Sequence, residues 1–343
     1  MLFRSLMNVL GIESSCDETS VAIISGGKLT ANLISSQDFH VNYGGVVPEL
    51  SSRAHLQIIL PLLKDALLAS SLTLKDIDVI CATAGPGLIG ALLVGLTFAK
   101  GLAYSLNKPF IPVNHIEGHV YSGFLMKDKP EFPILTVVVS GGHTLLLLVK
   151  SFTEIQKLGS TVDDAAGEAF DKVAKMLGLG YPGGPKIQKA AALGTKNSIT
   201  FPVADLANPF NFSFSGLKTS VLRHVQKNFK DNIIPENEKN NIAASFQDAV
   251  IRAIIRNAER ALNKFEVNTL SLVGGVAANR PLRDALTNLA GKYNKKIVIP
   301  DMQYCGDNAA MITFRGMKIF DSGQRFNLDY NPFPGIPENH FSI

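Results

Sequence analysis

His115 and His119 stand four positions apart in the run Asn114-His115-Ile116-Glu117-Gly118-His119. On a helix, residues i and i+4 share a face, so two imidazole nitrogens could reach one divalent cation. The same spacing also arises in ordinary packed helices. A zinc-peptidase reading needs Glu directly after the first His as general base. Ile116 stands there instead, and Glu117 points to another face. Asp307, two residues beyond Cys305 and just ahead of a helical segment, could act as a metal ligand or as a helix N-cap. Asp17 and Glu18 belong to the polar run Glu13–Thr19 between two apolar segments. They could bind a cation, orient a substrate, or be exposed turn residues.

Two glycine-rich turns offer a different chemistry. Ser140-Gly141-Gly142-His143-Thr144 follows the apolar run Ile134–Val139. Backbone N–H groups at such a turn can converge on an anionic oxygen, because glycine has no Cβ to block approach. A tight hairpin chosen for backbone geometry alone has the same composition. Gly274-Gly275 leads through Asn279 to Pro281, a strand–loop–helix pattern suited to anions and nucleotides. Asn279 could bond a sugar or base, or cap the helix. Asp171 sits on the open side of a helical segment, where a surface pair with Lys175 is the plainer reading.

These residues must be positioned by an α/β scaffold. Val9–Ile12 and Ser20–Ile24 flank the first acidic turn as a hairpin, and Ile134–Val139 with Leu145–Val149 repeat that plan near the middle of the chain. The repetition predicts two similar lobes. Helices are predicted at Ala54–Ser70, after Gly85-Pro86-Gly87, at Asp163–Leu177 and at Ala243–Phe265. In the last, Phe246, Val250, Ile254, Ala258, Ala261, Leu262 and Phe265 share a face. Short strands are predicted at Asp78–Ala82, Thr269–Val273 and Lys296–Pro300. The lobes are placed at 1–132 and 133–325, with 326–343, rich in Pro and Asn, as a surface tail.

Composition bounds the partners. The 343 residues carry a net charge of +4, which permits contact with nucleic acid without arguing for it. Three cysteines without a C-x-x-C pair give no disulfide framework and favour a reducing compartment, the cytoplasm. The N-terminal Met1–Met7 runs into charge at Glu13 rather than into a signal sequence, and Met7 could be the natural start. Leu88–Leu106 is interrupted by Gly90, Gly95, Lys100 and Gly101, and reads as a core helix rather than a membrane span.

Taken together and in order, Gly11–Thr19, Gly85–Gly87, Asn114–His119, Val139–Thr144, Ala165–Lys172, Tyr181–Pro185, Phe212–Thr219, Gly274–Arg280 and Cys305–Asn308 resemble the TsaD family over nearly the whole chain. The Glu-Ser-Ser-Cys-Asp-Glu-Thr form is similar to the bacterial and organellar branch. The resemblance implies a two-lobed, duplicated actin-like ATPase fold of the sugar-kinase and heat-shock type, with mixed sheets flanked by helices. It implies that His115, His119 and Asp307 hold one divalent metal, iron or zinc. Val138, Val139, Ser140, Gly141, Gly142, Asp171, Gly184 and Asn279 would line the nucleotide-linked substrate. Many bacterial members carry Asp where this chain has Gln188.

The activity implied is transfer of threonylcarbamoyl from threonylcarbamoyl-AMP to N6 of adenosine 37 in tRNAs reading codons that begin with A. AMP would leave, and Asp17 and Glu18 would aid orientation or proton removal. Implied partners are tRNA, a TsaB-like protein, a TsaE-like ATPase and a TsaC-type enzyme that supplies the substrate; no membrane is involved. A small-molecule kinase, a metallopeptidase and a non-enzymatic scaffold are the alternatives the residues leave open.

Overall fold

The computed structural model describes residues 7–230 and 233–335. They form two compact units, one of residues 7–127 with 306–335 and the other of residues 128–305.

In the first unit, β1 (Asn8–Glu13) and β2 (Glu18–Ser25) make the expected hairpin, with Val9 opposite Ile24 and Glu13 opposite Ser20. Residues 14–17 are its tip. An edge strand, β3 (Lys28–Ser36), adds antiparallel to β2. After α1 (Pro48–Ala69), β4 (Val79–Gly85) joins β1 in parallel. After α2 (Ile89–Leu106), β5 (Phe110–Asn114) joins β4 in parallel and runs straight into α3 (His115–Tyr121). The sheet order is β3-β2-β1-β4-β5.

Side chains alternate across this sheet, as strands require. Leu10, Ile12, Ile80 and Ala82 pack with Ile59, Leu63, Leu96 and Ala99 of α1 and α2. Val9, Val79, Cys81, Ile111 and Val113 turn the other way and meet Met311, Ile312 and Ile319. By length and composition α2 could cross a membrane, yet Ala91, Leu92, Gly95, Leu96, Ala99 and Ala103 are buried in this core.

The second unit repeats the plan. Strands β6 (Ile134–Val139), β7 (Thr144–Val149) and β8 (Ile155–Ser160) are antiparallel neighbours. Helices α4 (Ala166–Met176), α5 (Gly183–Ala191), α6 (Ser215–Asn228) and α7 (Glu236–Lys264) follow. Then β9 (Thr269–Val273), α8 (Arg280–Lys292) and β10 (Lys296–Val298) complete a sheet ordered β8-β7-β6-β9-β10. β9 is parallel to both β6 and β10. Order and sense match the first sheet strand for strand, so the repeat seen in the two hairpins extends to all ten strands.

The last helix, α9 (Ala309–Asp321), corrects the expected division of the chain. Read as part of a second lobe ending at 325, it packs on the first unit's sheet, and residues from Gly306 belong there. Small residues allow the approach: a Cβ on Gly11 of β1 would lie 2.0 Å from Thr313 Oγ1, and one on Gly316 would lie 2.3 Å from Cys81 Sγ. The segment expected as a surface tail from Phe326 is tied down as far as it is described. Phe333 N donates to Ala84 O at 2.9 Å, and Tyr330 and Phe333 pack against the core. Residues 336–343 and 1–6 lie outside the described residues.

Candidate functional site

The first unit's site grows from the end of β5. Asn114 caps α3, its Oδ1 accepting from Ile116 N and Glu117 N at 2.8 and 3.2 Å. That fixes His115 as the first helical residue and brings His119 below it, the rings meeting edge to face with centroids 4.8 Å apart. Asp307 arrives from the far end of the sequence, one residue ahead of the α9 N-cap, Asn308. Its Oδ1 lies 3.3 Å from His115 Nε2 and 3.0 Å from His119 Nε2. The three candidate ligand atoms fall within 4.8 Å of one another.

The surroundings fit a cation. Glu13, fully buried at the end of β1, has Oε2 3.2 Å from His115 Nδ1 and accepts from Thr83 Oγ1 at 2.5 Å; its Oε1 takes Ser15 N at 2.6 Å. A carboxylate on Nδ1 places the hydrogen there and leaves the Nε2 lone pair for a metal, the usual arrangement around metal-bound imidazoles. His119 Nδ1 is buried and has no hydrogen-bond partner. Burial opposes charge on His115, but Asp307 and Glu13 outweigh it and raise its pKa well above the ordinary value. Burial likewise pushes Asp307 and Glu13 up, and His115 prevails, so both are lowered. Glu18 has no such cation: burial, then Asp307 and Asp17, push it up to about 10. Two buried acids, Glu13 and Asp307, meet the two imidazoles, and Glu18 beside them is held in its neutral form, a balance that a divalent ion would redress.

Two features bear on the alternatives. Cys16, at the hairpin tip, is driven far from the thiolate form by burial and by Asp17, so it is no activated nucleophile. Glu117 is held by Arg315 of α9 at 2.6 Å, both nearly buried, with the guanidinium 4.7 Å from the Tyr121 ring centre. Committed to that pair, Glu117 cannot serve as a peptidase base. It instead ties the histidine helix to the helix that follows Asp307.

The second unit gathers the other expected residues along one end of its sheet. Val138 and Val139 lie inside the sheet with their side chains covered. Ser140 N donates to His143 O at 2.8 Å, and Gly141 and Gly142 are exposed at the turn. Gly167 N, in the first turn of α4, donates to Ser140 O at 3.2 Å. Gly274, at φ 94°, lies so near that a Cβ would come 2.5 Å from Val139 O. Only glycine meets both conditions comfortably.

Asp171 on α4 accepts from Gly183 N at 2.7 Å, at the start of α5 beside half-buried Gly184. Asn279 is engaged at both ends of its amide: Oδ1 caps α8 through Leu282 N at 3.1 Å, and Nδ2 donates to Gln247 Oε1 at 2.8 Å. Gln188 Oε1 accepts from Arg280 N at 2.9 Å. Asn279, held by Gln247, and Gln188 therefore each bond a backbone N–H in the first turn of α8.

Sequence reasoning missed Glu13, Ser15, Thr83 and the Glu117–Arg315 pair as members of the site. One signal was available for Glu13: a carboxylate closing an otherwise apolar strand needs a partner once buried.

Comparison with known proteins shows the family and the fold. The TsaD family model, tRNA N6-adenosine threonylcarbamoyltransferase, matches residues 28–314. A protein of that name from Thermosipho africanus is 52% identical over 92% of this chain and 96% of its own length. Another, from Symbiobacterium thermophilum, is 46% identical over 96% of each. Among solved structures, HypF of T. kodakarensis aligns with a TM-score of 0.64 at 17% identity, over 92% of this chain and 48% of its own. An activator of 2-hydroxyisocaproyl-CoA dehydratase from Clostridium difficile aligns with a TM-score of 0.54 at 14% identity, over 93% of this chain and 97% of its own. At these identities the likeness shows fold alone, the actin-like ATPase fold.

Proposed function

Since this chain belongs to the TsaD family and is a tRNA N6-adenosine threonylcarbamoyltransferase, we propose that its donor is threonylcarbamoyl-AMP and its acceptor adenosine 37 of tRNAs reading codons that begin with A. The N6 amine attacks the carbamoyl carbonyl. A C–N bond forms, the C–O bond to the phosphate breaks, the amine proton is taken up, and AMP leaves. The mixed anhydride is already activated, so no covalent enzyme intermediate is needed, and catalysis rests on positioning and electrostatics.

In the open Ser140–Gly142 turn, Gly141 and Gly142 offer backbone N–H groups to the phosphate or the developing oxyanion. Asp171 and Gly184 hold the ribose side, and Asn279 keeps the α8 start in place beside them. Asp17 and Glu18 orient the amine, and Asp17 takes its proton. His115, His119 and Asp307 would hold one divalent metal, iron or zinc. When bound, it supplies Lewis-acid polarisation for the threonylcarbamoyl oxygens.

The observation that carries this reading is the convergence of His115, His119 and Asp307 from sequence positions nearly 200 apart. A TsaB-like partner is supported by the apolar side chains left exposed on neighbouring helices, Leu56 and Leu60 of α1 with Ile89 and Leu93 of α2. A TsaE-like ATPase, a TsaC-type supplier of the adenylate and a cytoplasmic location complete the proposal; three free cysteines accord with the last.

The test is deletion of the gene followed by nucleoside mass spectrometry of bulk tRNA. Threonylcarbamoyladenosine should vanish and return with the intact gene. In vitro, transfer from threonylcarbamoyl-AMP should fail on a transcript with guanosine at position 37. Modification persisting in the deletion strain, or transfer to that transcript, would defeat the proposal.

A further inference from the structure

Behind the β1–β2 tip lies a buried polar network to which no role is yet assigned. Cys16 O, at the tip, accepts from Ser51 Oγ in a very short contact and lies 3.0 Å from His55 Nε2. A carbonyl can only accept, so His55 Nε2 carries the hydrogen. His55 Nδ1 must then accept, and Thr19 Oγ1 donates to it at 2.7 Å. Burial keeps the His55 pKa below its ordinary value, in keeping with a neutral ring.

The chain of bonds continues outward. Gln37 N donates to Asp17 O at 3.1 Å, and its side-chain Nε2 donates to Ser51 O at 3.3 Å. His40 Nε2 donates to Gln37 Oε1 at 2.9 Å, and His40 Nδ1 accepts from Val47 N at 3.2 Å. Thr19, Gln37, His40, Ser51 and His55 are all buried. In both rings Nε2 donates and Nδ1 accepts, so both tautomers follow from the bonding. A buried network of this kind favours one geometry, because a broken bond leaves a polar group without water.

We infer that His55, with Ser51, is a positioning residue for threonylcarbamoyl transfer: it grips the Cys16 carbonyl and so fixes the tip that carries Ser15, Asp17 and Glu18. The consequence lies next door, since Ser15 Oγ is 3.2 Å from His115 Nδ1. Gln37 fixes the adjoining Asp17 carbonyl in the same way. Thus two successive tip carbonyls are held from behind, directly after Ser15, whose hydroxyl meets His115. The inference rests on the tip's place in the transfer site.

The experiment uses the full chain with its partners, as H55L, H55Q, S51A, D17N and E18Q. Steady-state transfer and zinc affinity by calorimetry are measured alongside melting temperature. Misplacing reacting groups by about 1 Å costs on the order of 100-fold in rate. H55L should therefore lose roughly 10- to 100-fold in kcat with KM little changed, and should bind zinc more weakly. H55Q, whose amide can still donate to Cys16 O, should recover to within about threefold of the parent. S51A, the milder lesion, should lose about threefold to tenfold and guards against H55L failing to fold.

Full kcat and zinc affinity in H55L or S51A would overturn the inference, as would H55Q no better than H55L. Parental rates in D17N and E18Q, with H55L impaired, would instead remove the two carboxylates from the mechanism while leaving the positioning role through Ser15.

Discussion

His115 and His119 were legible as a pair because four-residue spacing has one geometric meaning on a helix. Glu13 was not, since its contact with His115 joins residues 102 apart and only the paired strands β1, β4 and β5 bring them together. Asp307 was placed by family resemblance, and its neighbour Asn308 proves to be the α9 N-cap. Removing either imidazole should cost more than trimming the groups around it. H115A and H119A are expected to lower metal affinity by at least about 100-fold, since losing outer-shell groups alone costs about 10- to 100-fold. Both should also abolish transfer while keeping the native circular dichroism. Acidity gives a second check. The His115 pKa is raised on folding, so its contribution to the metal-free chain is complete below the unfolded value of about 6.5. That contribution fades as pH climbs through the folded value. The melting temperature of metal-free protein should therefore drop on the alkaline side of neutrality in the wild type and less so in H115Q. Metal uptake at neutral pH should release about one proton, read by calorimetry in buffers of different ionisation enthalpy.

The helices hold the site together by lying close to what they cover. α9 rests on β1 and β4 only because Gly11 and Gly316 leave room for Thr313 and for Cys81. A Cβ at Gly11 would sit 2.0 Å from Thr313 Oγ1, so the G11A side chain must push the helix away. Overpacking of this kind costs about 1–3 kcal/mol. Because Asp307 stands just ahead of α9, G11A should lose metal affinity as well as melting temperature, whereas a cavity-forming change in the core of the second unit, such as L286A, should lower only the latter. Element reading from sequence succeeded where periodicity was strong, as in β1, β6 and the buried face of α7. It began α7 too late, at Ala243 rather than Glu236, because the first turn is polar. The edge strand β3 escaped notice since its burial alternates irregularly and much of it is exposed. The packing of Tyr330 and Phe333 was hidden behind Pro and Asn, whose abundance spoke only of irregular backbone.

At the scale of the whole chain, two sheets share one strand order, and the second unit is built from a continuous stretch while the first unit takes its last helix from beyond the second. The hairpin repeat was readable because each hairpin is local. The return of α9 to the first unit was not, since no local pattern says which of two similar sheets a helix will cover. A chain ended after Cys305 should accordingly keep amide protection in β6–β10, lose it in β1–β5 and bind no metal, by hydrogen exchange and calorimetry. Protection of both sheets in that truncation would contradict the assignment of α9. There is a temporal side to this arrangement. During synthesis the face formed by Val9, Val79, Cys81, Ile111 and Val113 has no cover until the ribosome has passed through the entire second unit. At ordinary elongation rates of about 5–20 residues per second, that is on the order of ten seconds or more. The unit begun first is finished last, so a nascent chain depends on chaperones or on its own slowness longest where its two histidines already stand without their aspartate.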